Sequence, residues 1–231
     1  MSHFTIKLAV MNTQVIPSYK EGLKELKEKL SHTLPSDVFE VLNSDAERIG
    51  EEHTSILKLQ VGDKAPNFTL LNALNERVNL YRLLETKRVV LTFYRGTWCP
   101  YCNLILSQYQ TVLPEIEKEG AILVAISPQT PDASFSTKDK NALQFEVLSD
   151  NGNIVSKEFT TVHKNPEDSL EKMADLGHDY DCYNCDEKSE IPIPATFIIE
   201  KDSIISFAKT GGGDYRNRVE PYDIINALNK K

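Results

Sequence analysis

The chain has 231 residues, 40% of them hydrophobic and 26% charged, with 10 glycines and 11 prolines, which excludes a disordered or collagen-like chain and leaves room for one packed domain with an extension. Its 34 acidic residues outnumber 26 basic ones, and the net charge of −8 argues against nucleic acid or an anionic membrane as partner, since both need a positive field. No run approaches the roughly 18 apolar residues of a membrane span. The apolar stretch KLAVM at 7–11 is too short for the core of a secretory leader, so a cytoplasmic location is the expectation.

Residues 17–57 read as helical. Ser18 and Glu21 make a capping box ahead of Leu23, Leu26 and Leu30 on one face, and LPSD at 34–37 ends that helix and caps a second one carrying Val38, Phe39, Val41, Leu42 and Ile49. The charges on these helices describe a solvated face, with a homodimer contact as the alternative. We therefore take 1–58 as a helical N-terminal extension and 59–231 as the main domain. From residue 59 the rhythm changes to short β-rich runs at 68–71, 88–94, 121–127, 145–150, 195–200 and 203–208. Helical candidates lie between and after them at 79–84, 102–118, 134–143, 151–160, 166–175 and 219–229. This alternation predicts an α/β fold, a sheet with parallel crossovers and helices on both faces. The last two runs, split only by Lys201 and Asp202, predict an antiparallel hairpin.

The four cysteines fall into two pairs, Cys99/Cys102 and Cys182/Cys185, too few for a disulfide scaffold in a chain of this length. The first pair follows the buried-type strand RVVLTFY and opens an apolar helix, a setting that delivers the turn to the carboxyl edge of a sheet. Pro100 suits the first helical position, which makes Cys99 the N-cap. A thiolate there faces the free N–H groups of residues 101 and 102 at the positive end of the helix dipole, which favours the anion. Redox catalysis is the leading reading of the pair; zinc binding and inert core cysteines are the alternatives.

VGDKAPNFTL (61–70), FYRGTWCPYCNL (93–104), VAISPQT (124–130), EVLSDNGN (146–153), IPIPATFIIEKD (191–202) and DYRNR (214–218) come in an order that resembles the peroxiredoxin-like branch of the alkyl hydroperoxide reductase/thiol-specific antioxidant family. That resemblance implies a thioredoxin-like three-layer α/β/α sandwich with no cofactor. It also implies a peroxide substrate and a thioredoxin- or glutathione-type reductant. Peroxide-reducing members carry P-x-x-x-T-x-x-C and an arginine just before their equivalent of ATF. Here the cysteine position falls on Cys102, while Cys99, Arg95 and Pro194 stand at the threonine, proline and arginine positions. In those enzymes the threonine and arginine hydrogen-bond the peroxide and stabilise charge as the O–O bond breaks. Arg95 is read as a packing or surface arginine or as a substitute for that role.

WCPYC also resembles the thioredoxin and glutaredoxin turn, with Pro194 at the position of that superfamily's cis-proline. This implies that the backbone of Ile193 could pair with a substrate chain and that Trp98 lines the substrate surface, unless its indole is simply core. For disulfide exchange Cys99 would attack and Cys102 resolve; for peroxide reduction Cys102 would be oxidised and Cys99 would condense with it. Reduction of peroxides is the leading function, reduction of protein or small disulfides the second, and a zinc-binding or redox-sensing module the third.

Cys182 and Cys185 sit in the acidic stretch DYDCYNCDEKSE, where nearby carboxylates disfavour a thiolate, so they read as silent, as an accessory redox pair or as metal ligands. GGGD at 211–214 lacks the residues of a phosphate loop and reads as a turn. Arg216 and Arg218, just before the last helix, read as solvent-facing, with a reach into the site as the alternative.

Overall fold

The computed structural model of the protein describes residues 15–54, 56–178 and 189–230; Cys182 and Cys185 lie outside them. Helix α1 (Tyr19–Thr33) begins where the Ser18 hydroxyl accepts the Glu21 N–H. It stops at Leu34, held extended (φ −87°, ψ 148°) by the following Pro35, and α2 (Ser36–Glu52) starts directly after that proline. The main sheet follows. It contains β1 (Thr69–Asn72), β2 (Arg77–Asn79), β3 (Arg88–Phe93), β4 (Ala121–Ser127) and β5 (Glu146–Ser149). Short strands β6 (Val162–Lys164) and β7 (Glu190–Pro192) pair separately, and β8 (Ala195–Ile199) and β9 (Ile205–Thr210) complete the main sheet. β2, β6 and β7, each three residues long, were not anticipated, because so short a run carries no readable period.

The seven-stranded order is β2-β1-β5-β4-β3-β8-β9. β3 runs parallel to β4 with Leu91 opposite Val124, and antiparallel to β8 with Leu91 opposite Phe197; β8 and β9 form the expected antiparallel hairpin. Central β3 is covered on both faces, so its side chains divide between two cores. Val89, Leu91 and Phe93 pack with Phe159 and Phe197, while Val90 joins a second core built from the helices that carry the cysteines and the extension. The remaining helices are α3 (Leu80–Leu84), α4 (Pro100–Thr111), α5 (Leu113–Lys118), α6 (Pro131–Lys140), α7 (Ser156–Phe159), α8 (Glu167–Asp175) and α9 (Pro221–Leu228).

Tyr19, Leu23, Ala46 and Ile49 of the extension belong to the same apolar cluster as Trp98, Cys99, Tyr101 and Cys102. The stretch 214–220 clasps the extension to the domain. The Glu220 carboxylate accepts the Tyr19 N–H at 2.7 Å and the Lys20 N–H at 2.9 Å, capping α1 from outside. Tyr215 donates its hydroxyl to Leu42 O, and Tyr19 donates its own to Arg216 O. Arg216 is buried, not solvent-facing, and binds Asp214 and the Asn43 side chain. The glycine run explains this close approach. A Cβ on Gly213 would lie 2.5 Å from Ile49 O, and one on Gly211 would lie 2.7 Å from Arg218 N. GGGD is irregular backbone that bends at Gly213 and Asp214, and the turn follows at Tyr215 and Arg216; the bare backbone lets α2 and residues 217–218 come near.

Candidate redox site

β3 delivers residues 94–99 to its carboxyl end, and α4 starts at Pro100 with Cys99 in N-cap conformation (φ −86°, ψ 111°). The intervening loop is pinned from both sides: Thr97 N–H donates to Gln129 Oε1, and Asn103 Nδ2 donates to Thr97 O. Cys99 O accepts the Cys102 N–H at 3.0 Å, so the two sulfurs sit one helical turn apart. The expected side-chain cap is absent, because Cys99 Sγ accepts neither N–H of the first turn. Its thiol is directed to Cys102 instead.

Cys102 holds the charge. Arg218 Nη2 donates to its sulfur at 3.1 Å and the Arg95 backbone N–H donates at 3.4 Å, while the same Arg218 nitrogen is 3.9 Å from the Cys99 sulfur. Burial alone would push the Cys102 thiol up. The hydrogen bond from Cys99, the Arg218 charge and the Arg95 N–H outweigh it and hold Cys102 well below the ordinary thiol range. Cys99 moves the other way: burial raises it, and donating to Cys102 raises it further. The pair therefore shares one proton, kept on Cys99. Cys99 as the ionised N-cap sulfur is corrected by this arrangement, since the arginine and the N–H that favour an anion converge one turn later.

Arg218 was expected in solvent and is 9% exposed. Arg216 turns toward the extension, where it binds Asp214 and Asn43, and Arg218 turns inward to the sulfurs. Its second nitrogen donates to the carbonyls of Tyr215 and Asn217, which fixes the guanidinium. A charged residue two places from an arginine that already has Asp214 beside it was the available signal. Arg218 supplies a cation at the sulfur although the position before ATF is Pro194.

Arg95 is also buried. Its guanidinium lies 4.7 Å from the Trp98 ring centroid and 3.6 Å from that of Tyr215, and it donates to Asn165 Oδ1 at 3.2 Å. Arg95, Trp98, Cys99 and Tyr215 share the wall of a cleft of about 260 Å³; Cys102 does not reach it. Ile193 and Pro194 lie apart from that wall, and no peptide bond among the described residues is cis. Ile193 has no free backbone edge: its N–H donates to Thr161 O at 2.8 Å and its carbonyl accepts the Thr160 hydroxyl at 2.9 Å. Both sulfurs are covered, Cys99 at 1% exposure and Cys102 at 0%, where the sequence had suggested open access. Tyr19, Leu23, Ala46 and Ile49 of the first two helices pack in one apolar cluster with both cysteines, and Arg218 lies against the sulfurs from the other end of the chain. Among the described residues no cluster of histidine, cysteine and carboxylate side chains is set to hold a metal, and no helix is long and apolar enough to cross a membrane.

A dithiol at the start of a helix, at the carboxyl edge of this sheet, defines a thioredoxin-fold thiol oxidoreductase. The AhpC/TSA family profile matches residues 61–208. The chain belongs to that family and is a peroxiredoxin-family enzyme. It is 34% identical over 103 residues to the putative peroxiredoxin bcp of Coxiella burnetii, a match covering 45% of this chain and 68% of that one. To the putative peroxiredoxin bcp of Helicobacter pylori it is 41% identical over 93 residues, 40% of this chain and 60% of the other. Among solved structures, peroxidoxin BcpB from Mycobacterium tuberculosis superposes with a TM-score of 0.58 at 18% identity, over 74% of this chain and 96% of that one. A PrxQ variant from Xylella fastidiosa gives 0.57 at 17%, over 74% and 95%.

Proposed function

We propose that the protein is a thiol peroxidase that reduces peroxides by cycling Cys99 and Cys102 between dithiol and disulfide, in the cytoplasm. The observation that carries this reading is the Arg218 guanidinium 3.1 Å from the Cys102 sulfur. It supports one thiolate at neutral pH and places a cation where negative charge develops as the O–O bond breaks. The peroxide accepts two electrons from one sulfur, giving a sulfenic acid and an alcohol or water. The second sulfur then condenses with the sulfenic acid, forming the S–S bond and releasing water. An external dithiol of thioredoxin or glutathione type reopens the disulfide by exchange.

Reduction of protein disulfides draws less support, because a substrate strand needs a free backbone edge beside the sulfurs and that of Ile193 is fully paired. Stopped-flow fluorescence of Trp98, mixing reduced protein with peroxide, tests the proposal. A rapid change that vanishes in the Cys99→Ser/Cys102→Ser double variant is expected. A response no faster than that of a free thiol, together with efficient reduction of small disulfides, would refute it.

A further inference from the structure

Arg95 is a buried cation that meets no carboxylate. It is 4% exposed, it forms no ion pair among the described residues, and its Nε has no hydrogen-bond partner. Asp45, whose charge it feels, bonds Arg48. Trp98 and Tyr215 present ring faces to the guanidinium, and its Nη2 is spent on the neutral Asn165. An unpaired charge is costly to bury, so this arrangement favours an incoming anion. In the same cleft wall the Ser169 hydroxyl is also buried without a partner, and Lys140, exposed at the end of α6, adds a second positive charge. Among the described residues the lining holds no carboxylate, in a chain of net charge −8. Apolar Leu30, Leu42 and Met173 surround these groups, and excluding water strengthens a charge pair. Cys99 belongs to this wall, whereas Cys102 does not reach it.

We infer that the cleft binds a small organic carboxylate through Arg95 and Ser169, and that this carboxylate belongs to a small anionic thiol, the reductant that reopens the disulfide at Cys99. The inference rests on the dithiol–disulfide cycle proposed above and narrows its reductant. A planar guanidinium with an unpaired N–H matches a carboxylate, and the Ser169 hydroxyl can donate one more bond. The bound thiol gives its proton to solvent and its sulfur attacks the Cys99 sulfur. A bond forms between those two, the Cys99–Cys102 bond breaks, and the electron pair leaves on Cys102, where Arg218 and the Arg95 N–H receive the thiolate. Attack at Cys102 would expel Cys99, which lies 3.9 Å from the same Arg218 nitrogen instead of 3.1 Å and is the poorer leaving group. A second molecule of the thiol, its proton also lost to solvent, attacks the ligand sulfur of the mixed disulfide. Cys99 leaves and takes a proton from solvent, and the ligand departs as its own disulfide. The thiol is oxidised and the protein disulfide reduced. A cleft of about 260 Å³ admits a molecule of this size, whereas a protein dithiol would need the backbone edge that Ile193 lacks.

The test uses the full chain carrying Cys182→Ser and Cys185→Ser, so that a single disulfide is read, oxidised with diamide. Trp98 fluorescence follows its reduction by mercaptopropionate, mercaptoethanol and cysteamine. Each rate is taken per thiolate and divided by the rate of that thiol with hydroxyethyl disulfide. The anionic thiol should exceed the cationic one by about tenfold or more on this scale. Arg95→Gln should bring the two within about threefold, and Lys140→Gln should have a smaller effect than Arg95→Gln, because the lysine is exposed. Acid quench and peptide mapping should find the mercaptopropionate adduct on Cys99. Where Arg95→Gln does not fold, the parent protein decides: hexanoate should compete with mercaptopropionate, and hexanol at the same concentration should not. Equal scaled rates for the anionic and cationic thiols, or equal effects of hexanoate and hexanol, would remove the carboxylate site. An adduct on Cys102 would overturn the point of attack. None of these readouts uses peroxide, so they leave the peroxidase reading standing, whereas failure of the reduced wild type to react with hydrogen peroxide would end that reading and the reductant's role with it.

Discussion

Replacing Arg218 by Gln removes the only side-chain cation hydrogen-bonded to Cys102 among the described residues, and the distance sets the scale of the effect. Two unit charges about 3 Å apart attract by about 5 kcal/mol at an effective dielectric of about 20, an upper limit that desolvation of both groups reduces. A charge-assisted hydrogen bond contributes a net 1.5–3 kcal/mol or so, which corresponds to about a 10- to 150-fold fall in the ionisation constant of the first thiol. The Cys99 and Arg95 donors remain, so Cys102 stays the more acidic sulfur. Thiolate absorbance in the ultraviolet, followed against pH in wild type, Arg218→Gln and Arg218→Lys, measures this directly, with Lys giving partial recovery. The sign of the stability change follows as well. A folded thiol held below its unfolded range adds stability that is full above that range and lost as pH falls through the folded value. The Gln variant should therefore lose stability at neutral and mildly alkaline pH while differing little from wild type in acid. A first ionisation within about threefold of wild type would show that Arg218 does not hold the thiolate.

His163 lies mostly in protein surroundings, with a buried Nε2 that has no hydrogen-bond partner, and burial with the nearby Arg95 charge pulls its pKa down to about 3. Neutral in the fold and protonated when unfolded, it should weaken the protein as pH drops below about 6.5, by about 1.4 kcal/mol per pH unit; denaturant midpoints for wild type and His163→Gln between pH 7 and 4 should diverge accordingly. Gly213→Ala, which sets a methyl against Ile49 O, should cost about 1–3 kcal/mol in urea unfolding and raise thiol reactivity toward a bulky alkylating reagent by loosening α2. Glu220→Gln keeps the shape of the α1 cap but removes its charge, and a loss of about 0.5–2 kcal/mol is expected; no change at low ionic strength would argue that water caps Tyr19 and Lys20 equally well.

Much of the fold was legible because its signals are local. The capping box at Ser18, the Leu34-Pro35 break, the unbroken apolar run of β3 and the start of α4 at Pro100 each depend on residues within a few positions of one another. The cysteine pair at a strand-to-helix turn belongs with these, as does the order of motifs that marks the family. The ionisation pattern was not legible. It depends on Arg218, which is 116 residues from Cys102 in sequence and reaches the sulfur only because bare glycine backbone lets residues 211–218 pass close beneath α2. Access was hidden for the same reason. Amphipathic spacing showed that the extension has an apolar face, but only packing decided that this face covers Cys99 and lines a cleft beside it. Local sequence sets backbone preferences within a few residues; the electrostatics and enclosure of a site are sums over neighbours that only the folded chain brings together.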